Sequence, residues 1–289
     1  MSTLTIPPSL TTPRDDARTL YKAFKGLGCD TSNVIKILAH RDSVQRDLIQ
    51  QEYETTYSES LSKRLSSELH GNLKKAVLLW LHDPATRDAI ILRQALSPQS
   101  GPIVDNQAIT EVVCSRTPSQ LRRLKEVYLS LYHSYLDRDI ENQTNGDHKK
   151  LLLAYISVPR YEGPEFDELI VQEDAEELYN AGEKKRGTDE KMFIRIFSER
   201  SSAHLAAVAS AYKAMHGNTL EKILRKSMKG VGTDDSRLIR VIVTRTEIDM
   251  QFIKSAYYSK YGKPLTHAVR SDTSGHYKDF LLRLLGPDY

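Results

Sequence analysis

Two short stretches set main-chain oxygens and a carboxylate at matching intervals. FKGLG at 24–28 carries Gly26 and Gly28, and MKGVG at 228–232 carries Gly230 and Gly232. Forty residues after the second glycine of each comes an acid, Glu68 or Asp272, and three residues later another glycine, Gly71 or Gly275. Glycine reaches positive φ, so alternate glycines let successive carbonyls turn toward one point. The carbonyls of Phe24, Gly26 and Gly28 supply three oxygens, and Glu68, brought back by a helical hairpin, supplies two more. Calcium takes roughly six to eight oxygens, which leaves one or two positions for water or a phosphate oxygen. Met228, Gly230, Gly232 and Asp272 repeat the set. Such a hard, incompletely filled site with one carboxylate suits weak calcium binding that tightens when a lipid headgroup completes the shell. Taken alone, either loop reads better as a helix C-cap followed by the N-cap of the next helix. Two complete sets at one spacing favour the cation site.

The elements that carry these loops recur along the chain. AHRDS, CSRTP, SERSS and VTRTE each hold an arginine ahead of a helix-capping residue: Arg41, Arg116, Arg200 and Arg245. In three copies the second loop glycine, Gly28, Gly187 or Gly232, lies 13 residues upstream of the arginine. Apolar residues recur at three- and four-residue steps, as in Val34, Ile35 and Leu38 or Leu238, Ile239 and Ile242, which predicts amphipathic helices. No run shows sustained strand-like alternation. The expectation is an all-α chain of four repeats, about five short helices in each.

The arginine spacings are unequal, at 75, 84 and 45 residues. The long one contains SVPRYEGPEFDE, whose Pro159, Gly163 and Pro164 read as a linker between halves. The short one lacks about thirty residues relative to the first: the end of the third repeat and the start of the fourth. The expected organisation is a first repeat at 14–82, a second at 83–158, a linker at 159–172, a third repeat truncated at its end at 173–223, and a fourth truncated at its start at 224–289. The fused junction, with Leu220, Ile223 and Leu224 on one face, predicts a single helix from about Asn218 to Lys229.

Composition bounds the rest. The chain has 289 residues, 39% apolar and 27% charged, ordinary values for a globular protein. AVLLWL and LLLAYI are too short to span a bilayer, and the N-terminal stretch lacks the basic flank and apolar core of a signal peptide. Two cysteines, Cys29 and Cys114, argue against a disulfide framework and fit a reducing cytosol. A net charge of +3 is too mild to point to nucleic acid.

With these residues in view, KGLGCD with Glu68 and MKGVGTDD with Asp272 resemble the calcium loops of the annexin family, over essentially the whole chain. LHDPATRDAIILRQAL and the short N-terminus look most like the plant branch. The resemblance implies a curved four-repeat disc, with calcium loops on its convex face that bind acidic phospholipids. It implies one Ca2+ site at Phe24, Gly26, Gly28 and Glu68 and another at Met228, Gly230, Gly232 and Asp272. Leu27 and Val231, at the loop tips, would meet the boundary between headgroups and acyl chains. The expected location is cytoplasmic, with peripheral membrane association when calcium rises, in stress or calcium signalling. Two copies depart from the pattern. Ile103, Pro102 and Gln143 stand where the second repeat would need its loop and acid. The third keeps Gly187, Thr188 and Asp189, but forty residues after Gly187 is Ser227.

Other signals support rival readings. His40 aligns with the histidine linked to haem peroxidase activity in plant annexins, yet no second axial ligand or haem motif accompanies it. DTSG at 272–275 matches a DxxG nucleotide pattern without a phosphate-binding loop. Together they make up the alternative of an enzyme, a haem peroxidase or nucleotide hydrolase. Ile194, Arg195 and Ile196 resemble the family's suggested F-actin segment, which supports a cytoskeletal or partner-binding protein with reduced membrane function. The favoured expectation is a non-enzymatic membrane binder. Cys29 reads as a weak helix-start residue. A thiol beside a helix N-terminus also has a route to a lowered pKa, hence to redox sensitivity.

Overall fold

The computed structural model describes residues 2–26, 28–97, 104–184, 187, 189–216, 235–247 and 249–288. Among them are 17 helices and no strand. The first repeat supplies α1 (Pro13–Ala23), α2 (Thr31–Leu38), α3 (Ser43–Tyr57), α4 (Leu61–Glu68) and α5 (Gly71–Leu81). The second supplies α6 (Pro84–Leu96), α7 (Asn106–Val113), α8 (Pro118–Tyr132), α9 (Leu136–Gln143) and α10 (Gly146–Ser157). Then come α11 (Glu168–Ala181), α12 (Glu190–Glu199) and α13 (Ser202–His216), followed by α14 (Asp235–Arg245), α15 (Met250–Tyr261), α16 (Leu265–Asp272) and α17 (Gly275–Leu285).

Local chemistry sets these boundaries in the same way from repeat to repeat. Asp42 and Gln45 form a reciprocal capping box at the start of α3, and Thr117 with Gln120 does the same for α8. Both helices end on a left-handed residue, Ser58 at φ 53° and His133 at φ 51°. Three eight-residue helices, α4, α9 and α16, are each followed by a two-residue break. A left-handed glycine then opens the next helix: Gly71, Gly146 and Gly275, at φ 58°, 60° and 59°. The predicted apolar faces are buried, with Val34, Ile35 and Leu38 fully enclosed and Ile239 and Ile242 nearly so.

The landmark arginines find their partners on the first helix of each repeat. Arg41 pairs with Asp16, Arg116 with Asp88, and Arg200 with Asp174, each through Nε and Nη2 to both carboxylate oxygens. Arg245 instead bonds Asp249 four residues on, with Nε 2.7 Å from Oδ1.

The chain forms two compact units. One combines α1–α5 with α14–α17, and its core runs from Ala17, Leu20 and Trp80 through Ile242, Phe280 and Leu284. Helix α5 packs on α14 and α17, so the first repeat shares a core with the last. The other unit holds α7–α13, with α10 against α12 and a cluster of Val171, Leu178, Ile196, Val208 and Tyr212 in its third repeat. Pro159, Gly163 and Pro164, expected to join two halves, lie inside this second unit, and α11 begins just after them at Glu168. An amphipathic face signals burial but does not name the helix that covers it. The expected helix over Asn218–Lys229 lies outside the described residues, as do Pro102 and Ile103.

Candidate calcium site at the first loop

Helix α1 delivers the first oxygen. Its N-terminus is fixed by Thr12, which accepts from Asp15 N, and by Pro13. At the other end the Phe24 ring is buried, edge-on to Tyr53 at 6.3 Å between centroids. The Phe24 ring is held by the core and its N–H by α1, and its carbonyl accepts from a side chain of α4. The loop then turns through Gly26 at φ 127° and Gly28 at φ 97°. A Cβ at either position would meet nothing within 4 Å, so the glycines serve the backbone angle and not the space. Asp30 closes the loop, donating its N–H to Ala23 O at 2.8 Å and capping α2 through Asn33 N.

Helix α4 delivers the carboxylate. Leu61 and Leu65 anchor one face in the core, and Glu68 is its last residue. One turn earlier on the same face stands Arg64. A single nitrogen, Nη2, lies 2.8 Å from Phe24 O and 2.9 Å from Glu68 Oε1. The loop carbonyl and the hairpin carboxylate, 44 residues apart in sequence, therefore converge on one positive atom. Both oxygens thus lie within hydrogen-bond reach of a single point, and calcium would draw its ligands to about 2.3–2.6 Å. The donors are hard oxygens, and a cationic nitrogen already stands between them, so these residues fit a calcium ion. Among the described residues no group of three or more His, Cys, Asp or Glu could hold a metal ion, so a site here draws on main-chain oxygen. Arg64 was missed in the sequence because an Arg–Glu pair four residues apart looks like any exposed helix pair.

The other copies are less complete. In the last repeat Asp272 ends α16, exposed, and accepts from Ser271 Oγ at 3.1 Å. Met228, Gly230 and Gly232 lie outside the described residues, as do Leu27 and Val231. In the second repeat Gln143 ends α9, with no charge to offer. In the third, Gly187 is left-handed at φ 91° and Asp189 N bonds Ala181 O at 2.8 Å, the same closure as in the first loop. Thr188 and Ser227 lie outside the described residues.

The remaining candidates are engaged elsewhere. His40 Nδ1 is 2.8 Å from Thr5 O and Nε2 is 3.4 Å from Arg283 Nη1, so both ring nitrogens face protein partners. Arg195 bonds Glu177, and Ile196 is fully buried. At Cys29 burial pushes the thiol pKa up, and the nearby Glu68 and Asp30 charges push the same way. This corrects the route to a lowered pKa: burial of the thiol, the largest cause, outweighs the opposing hydrogen bond with Thr31. Among the described residues no helix is long and apolar enough to cross a membrane.

The annexin family profile matches residues 15–80, 87–155, 173–224 and 222–284. Annexin D5 of Arabidopsis thaliana is 48% identical and aligned along all of both chains. That alignment spans 318 positions, 29 more than the 289 residues present here. The third and fourth profile matches meet where the arginine spacing places the missing segment. Among solved structures, annexin III superposes with a TM-score of 0.88 at 30% identity, covering 100% of this chain and 98% of its own. The calcium-bound form of annexin (Sm)1 superposes with a TM-score of 0.81 at 25% identity, covering 100% and 94%.

Proposed function

Because the chain belongs to the annexin family, whose members bind calcium and phospholipid membranes, we propose that it attaches to anionic phospholipid surfaces through calcium held at its first and last repeats. The first site is made by the carbonyls of Phe24, Gly26 and Gly28 with the carboxylate of Glu68. The last is made by the carbonyls of Met228, Gly230 and Gly232 with Asp272, on sequence spacing. The observation that carries the reading is the convergence of Phe24 O and Glu68 Oε1 on one cationic nitrogen.

Each residue has a distinct task. The buried Phe24 ring fixes the direction of its own carbonyl. Gly26 and Gly28 supply the positive φ that turns the loop, and the Asp30 to Ala23 bond holds its ends together. Glu68 brings negative charge to a site otherwise made of neutral carbonyls. Bound calcium supplies open coordination positions that phosphate oxygens of the headgroup can fill. The second and third repeats lack the acid, so attachment rests on the first and last.

Annexins are generally non-enzymatic, and the reading here is the same: His40 serves as a tie between Thr5 and Arg283. F-actin is the secondary partner, with Ile194–Ile196 as its segment, although Arg195 is already bonded to Glu177. The proposed setting is a rise in cytoplasmic calcium during stress or signalling. The test is co-sedimentation with phosphatidylserine and with phosphatidylcholine vesicles, with and without calcium. Pelleting only with calcium and only on the anionic vesicles supports the reading, and calcium-independent pelleting overturns it.

A further inference from the structure

Arg64 is not a bystander at the first loop. Its Nη2 bonds the two oxygens that calcium would need, Phe24 O at 2.8 Å and Glu68 Oε1 at 2.9 Å. An ion bound to both oxygens would stand within a few ångströms of the guanidinium, where like charges repel strongly. The two cations therefore exclude one another. We infer that Arg64 is a built-in counter-cation of the first loop, so that calcium enters by displacing a guanidinium and this site fills at higher calcium than the last. The inference rests on the calcium-binding reading above and concerns the order and threshold of filling.

Three further features support an exchange. The Arg64 side chain is 33% exposed, so it has a path to water. Its Nε is buried without a hydrogen-bond partner, an unmet donor that release into solvent would satisfy. Its contact with the Phe24 ring is long, 5.8 Å to the centroid, and gives little hold. The helix that carries the last repeat's acid has no arginine one turn before it. Four residues before Asp272 stands Ala268, and Arg270, two residues before the acid, falls on another face of α16. At low calcium the guanidinium neutralises Glu68 and keeps the loop folded around a charge of the right sign. At high calcium the same contacts pass to the ion. A chain with one unguarded and one guarded site responds over a wider span of calcium than two equal sites would.

The test is a calorimetric titration of the full chain with calcium chloride in an Asp272→Asn background, which leaves the first loop as the complete set. Arg64→Ala should tighten binding about tenfold, the equivalent of one charge-assisted hydrogen bond no longer broken, and Arg64→Lys should fall between. Nitrogen-15 spectra of the arginine side chains should show the Arg64 Nε signal shifting on calcium addition. Should circular dichroism show Arg64→Ala unfolded, Arg64→Gln makes the same comparison without the charge. Unchanged or weaker binding in the folded variant would mean that Arg64 supports Glu68, and would overturn the inference alone. Binding heat that survives Glu68→Gln in the same background would instead sink the site reading, and the inference with it.

Discussion

Arg41 and Asp16 form a buried two-pronged pair: Nε is 2.7 Å from Oδ2 and Nη2 is 3.0 Å from Oδ1. The guanidinium also donates to Thr11 Oγ1 and to His40 O, so one side chain ties α1 and the segment before it to the turn after α2. Removing one partner of such a pair leaves an uncompensated buried charge, at a cost of about 3–5 kcal/mol. Asp16→Asn should therefore lower the urea midpoint markedly, and a change within error would show that the pair is dispensable.

The third-repeat counterpart gives a pH signature. Burial raises the Asp174 pKa, but hydrogen bonds from Arg200 and His204 outweigh it and hold the carboxyl below its ordinary value of 3.8. A group depressed on folding stabilises above its unfolded pKa and loses that contribution as pH falls through the folded one. The stability gap between the parent chain and Asp174→Asn should thus be full near neutrality and shrink below pH 3.8. A gap that widens in acid would reverse the sign.

In the first unit, the Arg46 and Arg87 guanidiniums lie over the Trp80 ring, at 3.9 and 4.4 Å from its centroid. Glu247 bridges them at 3.3 and 2.8 Å. Burial and the Arg87 charge push the Arg46 pKa down while Glu247 pulls it back up, and the group stays charged at neutral pH. Glu247→Gln should cost about 3–5 kcal/mol by leaving two buried cations unbalanced. Trp80 is the only tryptophan, so its fluorescence transition should shift to lower denaturant in this variant. An unmoved transition would show that the cation pair needs no counter-charge.

These pairs mark how far the sequence could be read. Val34, Ile35 and Leu38 announced their buried face because helical periodicity is local. Arg41, Arg116 and Arg200 stood out as repeat landmarks, but Asp16, Asp88 and Asp174 lie 25, 28 and 26 residues upstream, and no fixed spacing flagged them. Glycine spacing led to Phe24 and Glu68. It did not reveal Arg64, whose importance depends on the fold bringing a distant carbonyl to its tip. The sharing of a core between the first and last repeats was equally illegible, since Phe280 and Leu284 carry no mark of the helix they meet.

Attachment should reverse with calcium. A net charge of +3 gives only weak overall attraction to an anionic surface. Excess chelator should release it from phosphatidylserine vesicles at physiological salt. Persistent binding would mean that lysine and arginine contacts dominate.

The most direct test of the central claim is calcium-dependent co-sedimentation of the Glu68→Gln, Asp272→Asn double variant with phosphatidylserine vesicles. These are the two carboxylates proposed to complete a loop, so the double variant should stay in the supernatant at calcium levels that pellet the parent chain, with its helical circular dichroism retained. Pelleting equal to that of the parent would contradict the assignment of both sites.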